Sequence, residues 1–169
     1  MELKTRNFDE IVGTNPSSTT PLLLKDPALL EDLVSYFLNT SGRKRFYAIW
    51  HLDHLNQAAS SLLEPYKELL LEQLILEERT GTQREVLKIL QDHTLNEESL
   101  GVLINYCFNR LNSVDCPVAV KMHCMLHLER ACGLYPELAH ELTESIQMQM
   151  ENASAGFKSR AKKILRKFS

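Results

Sequence analysis

A basic residue recurs about every 38 positions along this chain, each time five residues before a large apolar one. The pairs are Arg45 with Trp50, Arg84 with Ile89, Lys121 with Leu126 and Arg160 with Leu165. The basic residues stand about 39, 37 and 39 residues apart, a fixed period of the kind that marks a repeat architecture. Proline keeps the same beat: Pro27 to Pro65 is about 38 residues, and Pro65 to Pro136 is about 71, close to two periods. Each of these prolines opens an amphipathic stretch. A single repeat of this size cannot bury its own apolar face, so neighbouring repeats must stack to share a core. The beat therefore predicts a helical solenoid, an architecture that presents surfaces for holding something.

An apolar period of 3.6 residues runs through the chain, with no strand-like alternation. It predicts first helices at about 27–39, 63–77, 96–112 and 136–150, and second helices at about 43–59, 82–93, 116–133 and 154–168. Start signals agree: Asp26 before Pro27, Thr82 before Arg84, and Asn96 before Glu97 and Glu98. Gly42, Gly81 and Gly133 read as stops, and 152–156 as the last connection. Residues 1–24 read as an N-terminal cap, made of a short helix ending near Gly13 and a Pro/Ser/Thr loop.

At 169 residues the chain reads as one domain, 1–169, long enough for a continuous core. The first ten residues mix charges of both signs without an apolar run, so no secretory signal is expected. The greasiest stretch, 69–76, is broken by Glu72 and Gln73, so no membrane span is expected either. Cys107, Cys116, Cys124 and Cys132 then read as reduced, and the protein as cytoplasmic. The formal charge of −3 hides an asymmetry. Residues 154–169 hold Lys158, Arg160, Lys162, Lys163, Arg166 and Lys167 and no acid, leaving 13 basic against 22 acidic residues elsewhere, about −9. A body that acidic repels phosphate backbones and argues against nucleic acid as the main partner.

The pattern resembles HEAT-repeat proteins over about residues 26–169. The residues that carry the resemblance are Pro27, Pro65 and Pro136, the basic residues Arg45, Arg84, Lys121 and Arg160, and the acids Asp53, Asp92 and Glu129 eight positions after the first three of them. Phe168 stands where the fourth acid belongs. The resemblance implies an all-α fold, a right-handed α-α superhelix of about four helix pairs plus the N-terminal cap. It also implies that the basic and acidic residues form ladders between neighbouring repeats. A degenerate motif of this kind says nothing specific about function.

In the second helices, positions three, four, five and seven after the basic residue are mostly apolar in repeats one and three. In the last helix Lys163 and Lys167 replace the apolar residues at two of those positions, which narrows the stripe and makes 154–169 a capping helix facing water. Repeat two is out of phase: Val86 and Leu90 fall where the histidines of its neighbours fall, and Glu85, Lys88 and Asp92 where apolar residues belong. Either the register slips there, or the helix is rotated and offers an apolar patch in mid-groove.

Opposite the apolar stripe, His51, His54, His93, His123 and His127 share an arc of roughly 60°. Second helices of HEAT-like solenoids line the concave side, so these histidines, with Tyr47 and Arg130, are the candidate contact residues for a protein or peptide. His123 and His127 also form an HxxxH pair, the spacing at which two imidazoles can share a metal. Cys124 stands where a zincin-like helix needs its glutamate, and no third ligand is evident. Trp50 shares its register with Ile89, Leu126 and Leu165, and so reads as core. HEAT-like alkylation-repair glycosylases use tryptophan, aspartate and arginine in a groove, but a basic groove, which Trp50, Asp53 and Arg45 lack around them here.

No catalytic constellation is evident. The segment from Ser17 to Pro27 faintly resembles the signature loop of the fumarase superfamily, but its spacing differs and the expected methionine and asparagine are missing. It gives no basis for a lyase label. The expectation is a non-enzymatic scaffold without cofactor, binding a protein or peptide through shape and polar anchoring. A metal protein centred on the histidines, or nucleic-acid binding through the basic C-terminal helix, are the alternatives.

Overall fold

The computed structural model describes residues 8–168; residues 1–7 of the expected cap, and Ser169, lie outside the described residues. Among the described residues there are ten α-helices and no strand: α1 (Phe8–Val12), α2 (Pro16–Leu23), α3 (Pro27–Asn39), α4 (Gly42–Ala59), α5 (Lys67–Leu76), α6 (Thr80–Leu90), α7 (Glu97–Asn112), α8 (Val118–Leu134), α9 (Leu138–Gln147) and α10 (Ala155–Phe168). The fold is all-α, and α3–α4, α5–α6, α7–α8 and α9–α10 are the four helix pairs of the 38-residue beat.

Local chemistry explains the boundaries. Asp26 caps α3 by accepting from the Leu29 amide at 3.1 Å, with Pro27 at the first helical position, where no amide hydrogen is needed. Asn96 accepts from the Ser99 amide at 2.9 Å, and Glu97 and Glu98 follow in the first turn of α7. Pro65 and Pro136 sit one step earlier than expected: Pro65 lies in a 3₁₀ turn at 64–66, and α9 starts only at Leu138. Gly42 has φ of 62°, a left-handed conformation that a side chain disfavours, and it opens α4. Gly81 and Gly133 are not stops. Gly81 lies in the first turn of α6, where a Cβ would come within 3.3 Å of the Phe46 ring, and Gly133 lies in the last turn of α8.

The expected Pro/Ser/Thr loop is also a helix. Asn15 accepts from the Ser17 amide at 3.0 Å, Pro16 takes the first helical position, and Pro16, Thr19 and Leu23 are buried. Packing against α4 holds this segment helical in spite of a composition that favours turns.

The chain divides into two compact units, Met1–Thr94 and Leu95–Ser169. In the first, α4 packs against α1, α2, α3 and α6, and α5 packs against α6. Leu33, Phe37, Ile49, Leu52, Leu55, Leu74, Leu87 and Ile89 fill its core. The phase slip of repeat two has its cause here. α6 buries Val86, Leu87, Ile89 and Leu90, and also Thr82, Gln83 and Glu85, and leaves only the narrow stripe of Gly81, Arg84 and Lys88 half-buried. Val86 and Leu90 are enclosed, and the apolar patch in mid-groove does not exist. In the second unit α8 packs against α7, α9 and α10, and α10 against α9. α10 buries Phe157, Ala161 and Ile164 and leaves Lys162, Lys163, Arg166 and Lys167 exposed.

Candidate functional site: the aromatic strip of α4

Tyr47, Trp50 and His54 follow one another at helical spacing on α4, and all three are half-buried. The Tyr47 and Trp50 ring centroids are 6.2 Å apart, and those of Trp50 and His54 are 5.5 Å apart with planes at 89°, an edge-to-face contact. His54 Nδ1 donates to the Trp50 carbonyl at 3.1 Å, and Nε2 makes no hydrogen bond among the described residues. Phe46 extends the strip, 5.7 Å from Tyr47, and lines an open groove of about 530 Å³ with Glu78, Arg79, Thr80 and Gly81. Trp50 is thus a surface-edge residue, although its register predicted core. The same register is half-buried at Leu126 and Leu165 too, and fully buried only at Ile89 of the enclosed α6.

The histidines of the first unit do not share one environment. His51 is completely buried beneath α1 and α2. Its Nε2 donates to the Val12 carbonyl at 3.3 Å, and Nδ1 is 2.5 Å from the Thr19 hydroxyl. Burial lowers its pKa more than those bonds raise it, so the ring is held neutral. His93 is enclosed as well, with Nδ1 2.7 Å from Glu64 Oε2 and Nε2 2.9 Å from Asn56 Oδ1, while Asn56 donates to Asp92 at 2.7 Å. These two tie secondary elements together within the unit. In the second unit His127 is buried, His123 is half-buried and Arg130 is exposed, all on α8. Among the described residues no group of three or more His, Cys, Asp or Glu side chains is placed to hold a metal ion. The four cysteines are free thiols, all buried.

The charged residues of the beat find partners that spacing alone does not give. Arg45 donates to Glu77 at 2.7 Å, to Gln73 at 2.9 Å and to the Phe37 carbonyl at 2.8 Å, and its guanidinium lies 4.2 Å from the centre of the Phe37 ring. Asp53 meets Lys88 rather than Arg84, with Gln57 donating to the same oxygen at 2.8 Å. Lys88 also reaches Glu85 at 2.9 Å, and Arg84 holds Glu85 from the other side at 2.8 Å. Burial raises the Asp53 pKa. It works the same way on Glu85, where the bonds from Lys88 and Arg84 outweigh it and bring the pKa down. Glu129 of α8 receives Lys167 at 3.0 Å, with Arg160 at 3.9 Å. The segment from Ser17 to Pro21 lies in helix α2, and Thr19 Oγ1 is 2.5 Å from His51 Nδ1.

Paired helices repeating at 38 residues, with charged side chains bridging the two pairs within each unit, define a helical-repeat scaffold. The family described as HEAT repeat domain matches residues 20–168, and the chain belongs to it. No curated protein and no solved structure gives a significant match. Among the described residues no helix is long and apolar enough to cross a membrane.

Proposed function

We propose that the chain is a non-enzymatic scaffold that holds a protein or peptide, with Tyr47, Trp50 and His54 of α4 as the main contact strip in the first unit. The observation that supports this reading is the run of contacting rings at the half-buried edge of α4, edge-to-face between Trp50 and His54, with His54 Nε2 left as an open acceptor. Aromatic rings give contact area at little cost in side-chain order, and a ring nitrogen can take a backbone amide hydrogen. The groove beside Phe46 gives a bound segment somewhere to continue. In the second unit, His123 and Arg130 of α8 are the contact residues of the same reading. His51 and His93 serve it from within, by fixing the helices that present the strip, and His127 is a buried residue of α8 in the second unit. In this reading recognition is by shape and polar anchoring.

Trp50 is the only tryptophan, which makes the test direct. Peptides selected by display on the immobilised protein are expected to shift Trp50 emission on binding, and to lose at least about tenfold in affinity with Tyr47→Ala or His54→Ala. Selected peptides that leave the emission and both variants unchanged would put the binding face elsewhere.

A further inference from the structure

The second unit contains a groove of about 350 Å³ between the α7–α8 connection and the α9–α10 connection. Its chemistry is unlike that of the α4 strip. Lys121 of α8 lines it and is 9% exposed. Among the described residues no carboxylate pairs with Lys121; its Nζ donates at 2.6 Å to Gln149 Oε1, a neutral amide. Gln149 cannot turn away, because its Nε2 is committed to the Ser145 carbonyl at 2.9 Å. No acidic residue lines the groove. An enclosed ammonium facing only a neutral acceptor is costly unless an anion joins it.

The rim is apolar. Val114 is 94% exposed and Met148 85%, and with Val118 they account for three of the large hydrophobic side chains that this protein leaves in water. Phe157 and Cys116 lie beneath them, both buried. An inorganic anion would satisfy the cation and leave the rim wet. An uncharged apolar ligand would cover the rim and leave the cation unpaired. A carboxylate carried next to an aliphatic group uses both.

Two further side chains choose between sources of such a carboxylate. The amides of Asn112 and Asn152 line the same groove and make no hydrogen bond among the described residues. Each offers a donor and an acceptor, the complement of a peptide group. A long acyl chain has nothing to pair with them, and most of it would stay in water, since the groove lies at the small end of the range for ligand sites.

We propose that this groove captures the C-terminal carboxylate of a partner polypeptide whose last side chain is aliphatic, with Lys121 as the cation. Lys121 Nζ donates to the terminal carboxylate, Val114, Val118 and Met148 close over the last side chain, and Asn112 and Asn152 hold the preceding peptide group. C-terminal capture is a recurring recognition mode, usually made by backbone amides; here a side-chain ammonium takes that part. The site is independent of the α4 strip, and either can fail without the other.

The test uses the full chain and a pool of octapeptides ending in Leu, Ile or Val, each made as the free acid and as the C-terminal amide, with dodecanoate as a third probe. Free acids are expected to bind at least about tenfold more tightly than their amides. Lys121→Gln should abolish that preference. Val114→Asp, a change on an exposed side chain, should weaken the free acids by a similar factor with the melting temperature unchanged. Equal binding of acid and amide overturns the proposal, and so does an acid preference that survives in Lys121→Gln. Binding of dodecanoate without any peptide assigns the groove to a lipid acid and also overturns it, as does no binding of any probe. Should Lys121→Gln fail to fold, the acid–amide comparison and Val114→Asp decide.

Discussion

Lys88 Nζ lies 2.5 Å from Asp53 Oδ2, joining α6 to α4 at a point where the aspartate side chain is only 3% exposed. The same ammonium holds Glu85, which is 2% exposed. Lys88→Met would leave Asp53 without its cation and Glu85 with Arg84 alone. Removing one partner of a buried pair costs about 3 kcal/mol or more. Urea unfolding of Lys88→Met should show that loss. Lys44→Met, which breaks a pair exposed on both sides, should leave the midpoint where it is.

His51 makes stability depend on pH. Its pKa is lowered in the folded chain, chiefly by burial, so below the unfolded value of 6.5 the unfolded state takes up the proton first. This contribution is complete above pH 6.5 and is lost as the pH falls through and below that value. Thermal melts of the wild type between pH 7.5 and 5 should fall more steeply than those of His51→Gln. Parallel profiles would mean that the buried ring carries no such linkage.

Two glycines should respond in opposite directions. Gly42→Ala places a side chain at φ of 62° and should destabilise by about 1 kcal/mol. At Gly133, inside α8, a Cβ meets nothing within 4 Å, and Gly133→Ala should stabilise by about 0.5 kcal/mol. Denaturant midpoints of the two variants, measured side by side, check both signs.

Trp50 at a surface edge predicts that acrylamide quenches its fluorescence in the folded protein to an intermediate degree. Emission shielded as completely as in a core would contradict the placement.

The beat of basic residues and prolines located every helix pair, because helix period and capping are local properties that one sequence displays. The α4 strip was half legible. The wheel put Tyr47 and His54 on one polar arc, but it could not show that α1 and α2 lie over His51, since that contact joins residues about 32 apart. The same limit hid His93, which the turn carrying Glu64 closes off. α2 was missed because Ser, Thr and Pro favour turns in isolation, and only packing against α4 overrules them. Trp50 was misplaced for a related reason. Shared register fixes the direction of a side chain but not what stands opposite, and that differs between α4 and the enclosed α6. The groove beside Lys121 was not legible, because Glu129 follows Lys121 at the same eight positions as acids follow Arg45 and Arg84, and only the fold shows that its ammonium meets Gln149.

The enclosure of α6 gives the irregularity of its sequence a meaning. A helix buried around most of its circumference has only the narrow stripe of Gly81, Arg84 and Lys88 on which to vary, and its buried polar residues must answer to fixed partners: Glu85 to Lys88 and Arg84, Lys88 in turn to Asp53. The helix that obeys the common pattern least is therefore among the most constrained. In a linear array, departure from the consensus can measure crowding rather than decay.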